Sequence, residues 1–126
     1  MWCDVIDKNI FIKQIYTKVP ELLNVRIDAI SLQRDGTDVS VVFDMPAYSD
    51  KPPEKWNGNN TVSVEITFFD ISEFKLELKD RYMYGNIDIF SHEGRIKIVI
   101  DGLILCSFVA EAAVIQRISA YVATEI

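Results

Sequence analysis

The sequence is poor in the residues that carry enzyme chemistry. It contains one histidine, His92, two cysteines, Cys3 and Cys106, and only five glycines in 126 residues. A Ser-His or Cys-His mechanism requires a histidine beside a nucleophile and an orienting group, and His92 has only its neighbour Ser91 in a turn-forming stretch. Zinc sites take three or four ligands at short spacings, and phosphate-binding loops are glycine-rich. We therefore expect no catalytic site, no metal site and no cofactor.

Long apolar runs and an excess of basic residues are also absent. The longest apolar stretch, residues 103–109, is far shorter than the roughly 20 residues that cross a membrane. Nineteen acidic against thirteen basic residues give a net charge of −6, which disfavours contact with nucleic-acid phosphates or an anionic membrane surface. Residues 1–4 carry acid where a signal peptide carries base. We expect a cytoplasmic protein that binds neither nucleic acid nor membrane.

What is present is a regular alternation of apolar and polar residues. The length fits one domain, residues 1–126. Near the start, apolar residues recur at helical spacing: Ile6, Ile10, Ile15 and Val19. They predict a helix near residues 6–18 that ends before Pro20. The remainder predicts about eight strands joined by short turns, which favour antiparallel pairing. The predicted fold class is α+β, mostly β, arranged as a sheet, a sandwich or a partly closed barrel.

Local signals refine this strand pattern. The apolar phase changes between Ala29 and Ile30, which predicts a β-bulge, and Asp35-Gly36 predicts a hairpin turn. Residues 103–109 are apolar on both faces, as in a central strand, so Cys106 is expected in the core. Residues 112–124 fit a helix or a strand, and we favour a strand.

The stretch from residue 46 to residue 60, here called the 46–60 loop, is irregular and long for a compact domain. Its three prolines, one glycine and three asparagines exclude regular structure, and loops of this length are usually functional or disordered. Tyr and Trp in such a setting are typical of binding hot spots. The predicted partner-binding residues are Tyr48, Asp50, Glu54 and Trp56. For Trp56 an alternative stays open, in which the indole folds back and caps the end of the sheet.

Several segments together resemble a known family. They are the opening Met1-Trp2, FIKQIYTKVPELLNV (11–25), LQRDG (32–36), FDMP (43–46), DKPPEKW (50–56), TVSVEITFFDI (61–71) and ISAYV (118–122). This ordered set resembles the immunity protein 50 family, the predicted immunity proteins of bacterial polymorphic toxin systems. The resemblance implies a mostly β, non-enzymatic domain that neutralises a cognate toxin by binding it. The acidic charge further suggests a nuclease as the toxin, because carboxylates of the inhibitor would replace phosphates.

Two other functions remain open from the residues alone. An antiparallel sheet closed into a barrel could carry a small ligand in an apolar interior of several hundred Å³. Two acid pairs, Asp35 with Asp38 and Asp70 with Glu73, leave an unassigned glycoside-type enzyme as the third hypothesis. Of the three, toxin binding is the prediction that the family resemblance favours.

Overall fold

The structure, a computed structural model, describes residues 1–124, so the last two residues of the predicted domain lie outside the described residues. The fold is mostly β, as predicted. A 3-10 helix, Trp2–Val5, precedes a short α-helix, α1, and eight strands follow. The bounds are α1 Ile10–Ile15, β1 Val25–Gln33, β2 Asp38–Asp44, β3 Thr61–Phe69, β4 Ser72–Leu78, β5 Tyr84–His92, β6 Arg95–Gly102, β7 Ile104–Ala110 and β8 Ala112–Tyr121.

The eight strands form one open antiparallel sheet in the order β4-β7-β6-β5-β1-β2-β3-β8. The sheet is narrowest at its middle, where β1 and β5 share only the pairs Val25–Gly85 and Arg26–Tyr84. This junction divides the sheet into two halves. The halves meet through their inner faces, because Phe68 of β3 and Phe108 of β7 pack edge to face with centroids 5.1 Å apart.

One hydrophobic core lies between these faces. Phe43, Phe68 and Phe108 are completely or almost completely buried, and the 3-10 helix adds Trp2, whose ring meets Phe43 edge-on at 6.1 Å. Cys106 is also buried, as expected for a strand with apolar residues on both faces. Burial of this kind is the main favourable term in folding, at roughly 25 cal/mol per Å² of apolar surface.

The prediction of a helix over residues 6–18 is wrong in its bounds. Residues 6–9 are not helical because Asp7 bridges to β8: its N–H donates to the Ala113 carbonyl at 2.9 Å, and its carbonyl accepts from the Ile115 N–H at 3.0 Å. The helix ends at Ile15, and Tyr16 is already extended. Tertiary hydrogen bonds therefore override the helical spacing at both ends of this segment.

Three local predictions are confirmed. The β1–β2 register shifts between Ile27 and Ala29, which places the bulge where the apolar phase changes. The turn between these strands holds Arg34, Asp35 and Gly36 at positive φ. The tail forms strand β8 along the whole of Ala112–Tyr121, so the strand alternative for that segment is the one that the fold uses.

Candidate functional site

The 46–60 loop leaves β2 and docks on the end of α1. The Tyr16 hydroxyl donates to the Ala47 carbonyl at 2.6 Å. The Ile15 carbonyl, which would otherwise be an unpaired helix end, accepts from the Ser49 hydroxyl and from the Lys51 N–H. Burial raises the pKa of the Tyr16 phenol well above its ordinary value, so this hydroxyl stays a donor. The first half of the loop is thereby fixed to the helix.

Trp56 fixes the second half. Its side chain is only 6% exposed and packs edge-on against Phe11 of α1, with ring centroids 6.0 Å apart. The Tyr48 hydroxyl donates to the Trp56 carbonyl at 3.2 Å across the loop. Trp56 belongs to a 3-10 turn, Glu54–Trp56, which follows the two prolines. The indole therefore folds back, as in the second alternative for Trp56, and the ring that it meets is Phe11 of α1 and not a residue of the sheet.

The other predicted partner-binding residues lie closer to solvent. Asp50 and Glu54 are exposed, and Tyr48 is partly buried. Tyr48, Glu54 and Trp56 line one shallow depression of about 390 Å³, whereas Asp50 lies on the side that faces α1. There the Asp50 carboxylate accepts from the Thr17 N–H at 2.9 Å, and this bond lowers the pKa of Asp50 below its ordinary value. Asp50 is therefore a carboxylate of fixed orientation near neutral pH.

The loop rejoins the sheet through a polar clamp. The side-chain amide of Asn60 donates to the Ala123 carbonyl at 3.1 Å and accepts from the Ala123 N–H at 2.8 Å. The Asn60 N–H also donates to the Tyr121 carbonyl. Both ends and the middle of the 46–60 loop are thus hydrogen-bonded to other elements. A segment without strands is held in one conformation, with Asp50 and Glu54 both exposed to solvent.

A groove at the N-terminus is a second surface, which sequence reasoning missed. It measures about 770 Å³ and lies between the 3-10 helix, residues 18–23 and β5. Exposed apolar side chains line it, namely Met1, Leu23 and Phe90. These residues are far apart in the sequence, so no local pattern could indicate that they share one surface.

A polar network lies on the outer face of the half-sheet formed by β1, β2, β3 and β8. Asp44, nearly buried on β2, accepts from the Tyr121 hydroxyl at 2.8 Å and from the Arg26 guanidinium at 3.4 Å. Burial and this hydrogen bond raise the pKa of Tyr121 to about 12. The network joins β1, β2 and β8 and explains how a carboxylate is tolerated there. Its groups are already paired with one another, as structural polar groups are.

Two features are absent from the described residues. Across residues 1–124, no three histidine, cysteine or acidic side chains are grouped so that they could hold a metal ion. In the same part of the chain, no helix is long and apolar enough to cross a membrane. The His92 imidazole lies 3.8 Å from the Glu93 carboxylate at an exposed hairpin end.

Comparison with known proteins gives the family. The model of the family described as Immunity protein 50 matches residues 8–121, nearly the whole chain. The chain belongs to the Immunity protein 50 family. The match includes the 46–60 loop and β3 to β8, so the resemblance first carried by scattered segments extends over the strands between them.

The fold of this Immunity protein 50 member also occurs in a solved structure. A crystal structure of an uncharacterized protein from Neisseria gonorrhoeae is similar at a TM-score of 0.53 and 17% identity, and the match covers 75% of this chain and 92% of that chain. At that identity the likeness concerns the fold alone. Among curated proteins, none matches the chain.

Proposed function

We propose that this protein neutralises a cognate bacterial toxin by binding it and blocking its active surface. The observation that carries the proposal is the family match over residues 8–121. The structure is compatible with it in physical terms. A blocking protein requires a stable scaffold and a preorganised surface, and the continuous core and the hydrogen-bonded 46–60 loop supply these two features.

The toxin contact is proposed to lie on the 46–60 loop, through Tyr48, Asp50 and Glu54, with Trp56 as the residue that positions them. Fixing a loop before binding reduces the conformational entropy lost in the complex, which raises affinity without new contacts. Tyr48 can add apolar contact area because it lines the same depression as Glu54. Trp56 contributes indirectly, because its indole packs on Phe11 and holds the loop in position.

A nuclease is the toxin class that the charge favours. The substrate-binding face of a nuclease is basic, and a protein with a net charge of −6 is attracted to such a face over about a Debye length. The carboxylates of Asp50 and Glu54 would then occupy positions that phosphates take in the substrate. This predicts an association rate that falls as ionic strength rises, and a rate independent of salt would contradict it.

The ligand-carrier function is supported by one observation, the N-terminal groove of about 770 Å³ with its apolar lining. The groove opens on the surface, however, whereas a barrel carrier holds its ligand in the interior. In the interior, Phe68 of one half-sheet packs directly on Phe108 of the other. Of the two proposed functions, we therefore favour toxin binding. Saturable uptake of an apolar fluorescent probe that Leu23→Asp abolishes would support the carrier function instead.

The test of toxin binding uses the toxin domain encoded beside this protein. Co-expression should restore growth, and the purified proteins should form a complex. Asp50→Asn and Glu54→Gln should each weaken that complex, since each removes one exposed charge and retains the shape of the side chain. Asp35→Asn is the matched control, because Asp35 lies in the turn before β2, at the opposite end of that strand from the loop. Equal affinity of all three variants would refute the loop as the contact.

A further inference from the structure

Strand β4 is an open edge of the sheet. Among the described residues it pairs with β7 alone, and no strand lies on its other side. The opposite end of the sheet differs, because Asp7 bridges to Val114 and covers part of the outer edge of β8. An exposed row of N–H and C=O groups is a template for pairing with another chain.

The free backbone groups of β4 belong to its apolar residues. The Lys79 N–H donates to the Leu103 carbonyl at 2.8 Å, and this register directs the backbone of Lys75 and Glu77 toward β7. Leu76 and Leu78 therefore direct their backbone groups to the open edge. Their side chains are 51% and 56% exposed. The edge thus combines unpaired hydrogen-bonding groups with unburied leucines.

The sequence along this edge is complementary to itself when it is read in the antiparallel direction. Residues 73–79 are Glu-Phe-Lys-Leu-Glu-Leu-Lys. In an antiparallel pair centred on Leu76, Lys75 of each copy lies opposite Glu77 of the other, whereas Glu73 lies at a bulge with positive φ and stays outside this regular register. Apolar residues face apolar residues in the same register. Neither Lys75 nor Glu77 takes part in an ion pair elsewhere in the described chain.

Neighbouring registers lack this complementarity. A pair centred on Lys75 or on Glu77 sets lysine opposite lysine and glutamate opposite glutamate, which is destabilising. A shift of the pairing by one residue sets each charged side chain of one strand opposite an apolar side chain of the other. The register centred on Leu76 also makes Lys75 and Glu77 a non-hydrogen-bonded pair, in which side chains approach most closely.

We propose that β4 pairs with β4 of a second copy of this chain and forms a symmetric dimer with one continuous sheet. Two-fold symmetry is the commonest form of association between identical chains, and it requires a self-complementary surface. The charges select the register, and burial of Leu76 and Leu78 favours association. This inference is independent of toxin binding, because it rests on β4 and not on the 46–60 loop.

Charge exchange provides the test, with sedimentation equilibrium over a range of concentrations as the measurement. Lys75→Glu and Glu77→Lys each create two like-charge contacts across the dimer, so each variant should dimerise about tenfold more weakly than the wild type, or weaker still. An equimolar mixture of the two variants makes both contacts complementary again. The mixture should therefore form a heterodimer about as tight as the wild-type dimer, a result that loss of folding could not produce.

Leu76→Lys places two lysines opposite each other at the centre of the pair and should also abolish the dimer. Leu32→Lys is its control, because Leu32 is similarly exposed, at 56%, and lies at the far end of β1. Thermal unfolding establishes that both variants are folded. A wild-type chain that is monomeric at its highest soluble concentration overturns the proposal, as does a mixture no tighter than its components or an equal loss with Leu32→Lys.

Discussion

Removal of the Trp56 side chain tests the physical basis of the 46–60 loop. The indole is 6% exposed and packs on Phe11 with a centroid distance of 6.0 Å. Truncation of a buried Trp to Ala costs about 3–5 kcal/mol. Because Trp56 lies under a loop that can partly collapse, we expect the lower value. A loss of about 3 kcal/mol lowers Tm by about 10 °C in a domain of this size.

Urea unfolding, monitored by far-UV circular dichroism, measures this loss of unfolding free energy without dependence on tryptophan fluorescence. Trp56→Phe keeps an aromatic ring against Phe11 and should lose about half as much as Trp56→Ala. Glu54→Gln, an exposed change in the same turn, should stay within about 0.5 kcal/mol of the wild type. Toxin affinity should fall for both Trp56→Ala and Glu54→Gln. A loss of less than about 1 kcal/mol for Trp56→Ala would refute the packing of the loop described above.

Three further predictions follow from the core and the sheet. Phe108→Ala removes a fully buried ring that touches two other phenylalanine rings, with centroids 5.1 and 5.7 Å away, and should cost about 3–5 kcal/mol in urea unfolding; a cost below about 1 kcal/mol would contradict this. Gly102→Ala places a Cβ 2.5 Å from backbone atoms, whereas at Gly36 only the positive φ opposes a substitution by alanine. Gly102→Ala should therefore lower Tm more than Gly36→Ala, and equal losses of Tm would contradict this prediction. Burial raises the pKa of the Cys106 thiol from 9.0 to about 11, so the thiol loses its proton at lower pH in the unfolded state than in the folded state. The free energy of unfolding should therefore fall as pH rises through this window. Cys106→Ala should lose less stability over the same pH range, and an identical pH profile would contradict the assignment.

The strand pattern was predictable because it depends on local alternation. Inward-facing residues such as Val39, Val41 and Phe43 share one parity and are buried, and the phase change beside Ala29 marks the bulge. Positive φ at Asp35 and Gly36 is a local property of the turn. Such features are determined by neighbours in the sequence, so the sequence alone was enough to predict them.

Other features depend on contacts between distant residues. The helix is shorter than its apolar spacing predicts because Asp7 pairs with β8, more than a hundred residues away in the sequence. Cys3, close to the start of the chain, is fully buried for a related reason, since the 3-10 helix packs on the core and Trp2 donates to the Pro20 carbonyl at 3.0 Å. Periodicity carries no information on such pairings.

The candidate site was only partly predictable. Proline and glycine content located the 46–60 loop, and residue type selected Tyr48 and Trp56. The docking of the loop on α1 was not predictable, because it depends on the Tyr16 hydroxyl, on the Ile15 carbonyl and on an edge-on contact with Phe11. Composition indicated an irregular and exposed loop, whereas tertiary hydrogen bonds make it a fixed part of the domain.

Toxin binding is tested most directly by a binding titration of this protein against a toxin domain encoded by a neighbouring gene, combined with a growth assay of cells that express both. We expect a one-to-one complex between each copy of this chain and the toxin domain, restored growth, and an affinity that Asp50→Asn and Glu54→Gln reduce and Asp35→Asn does not. A toxin that kills cells equally with and without this protein, and that shows no heat of binding, would contradict the claim for that pair.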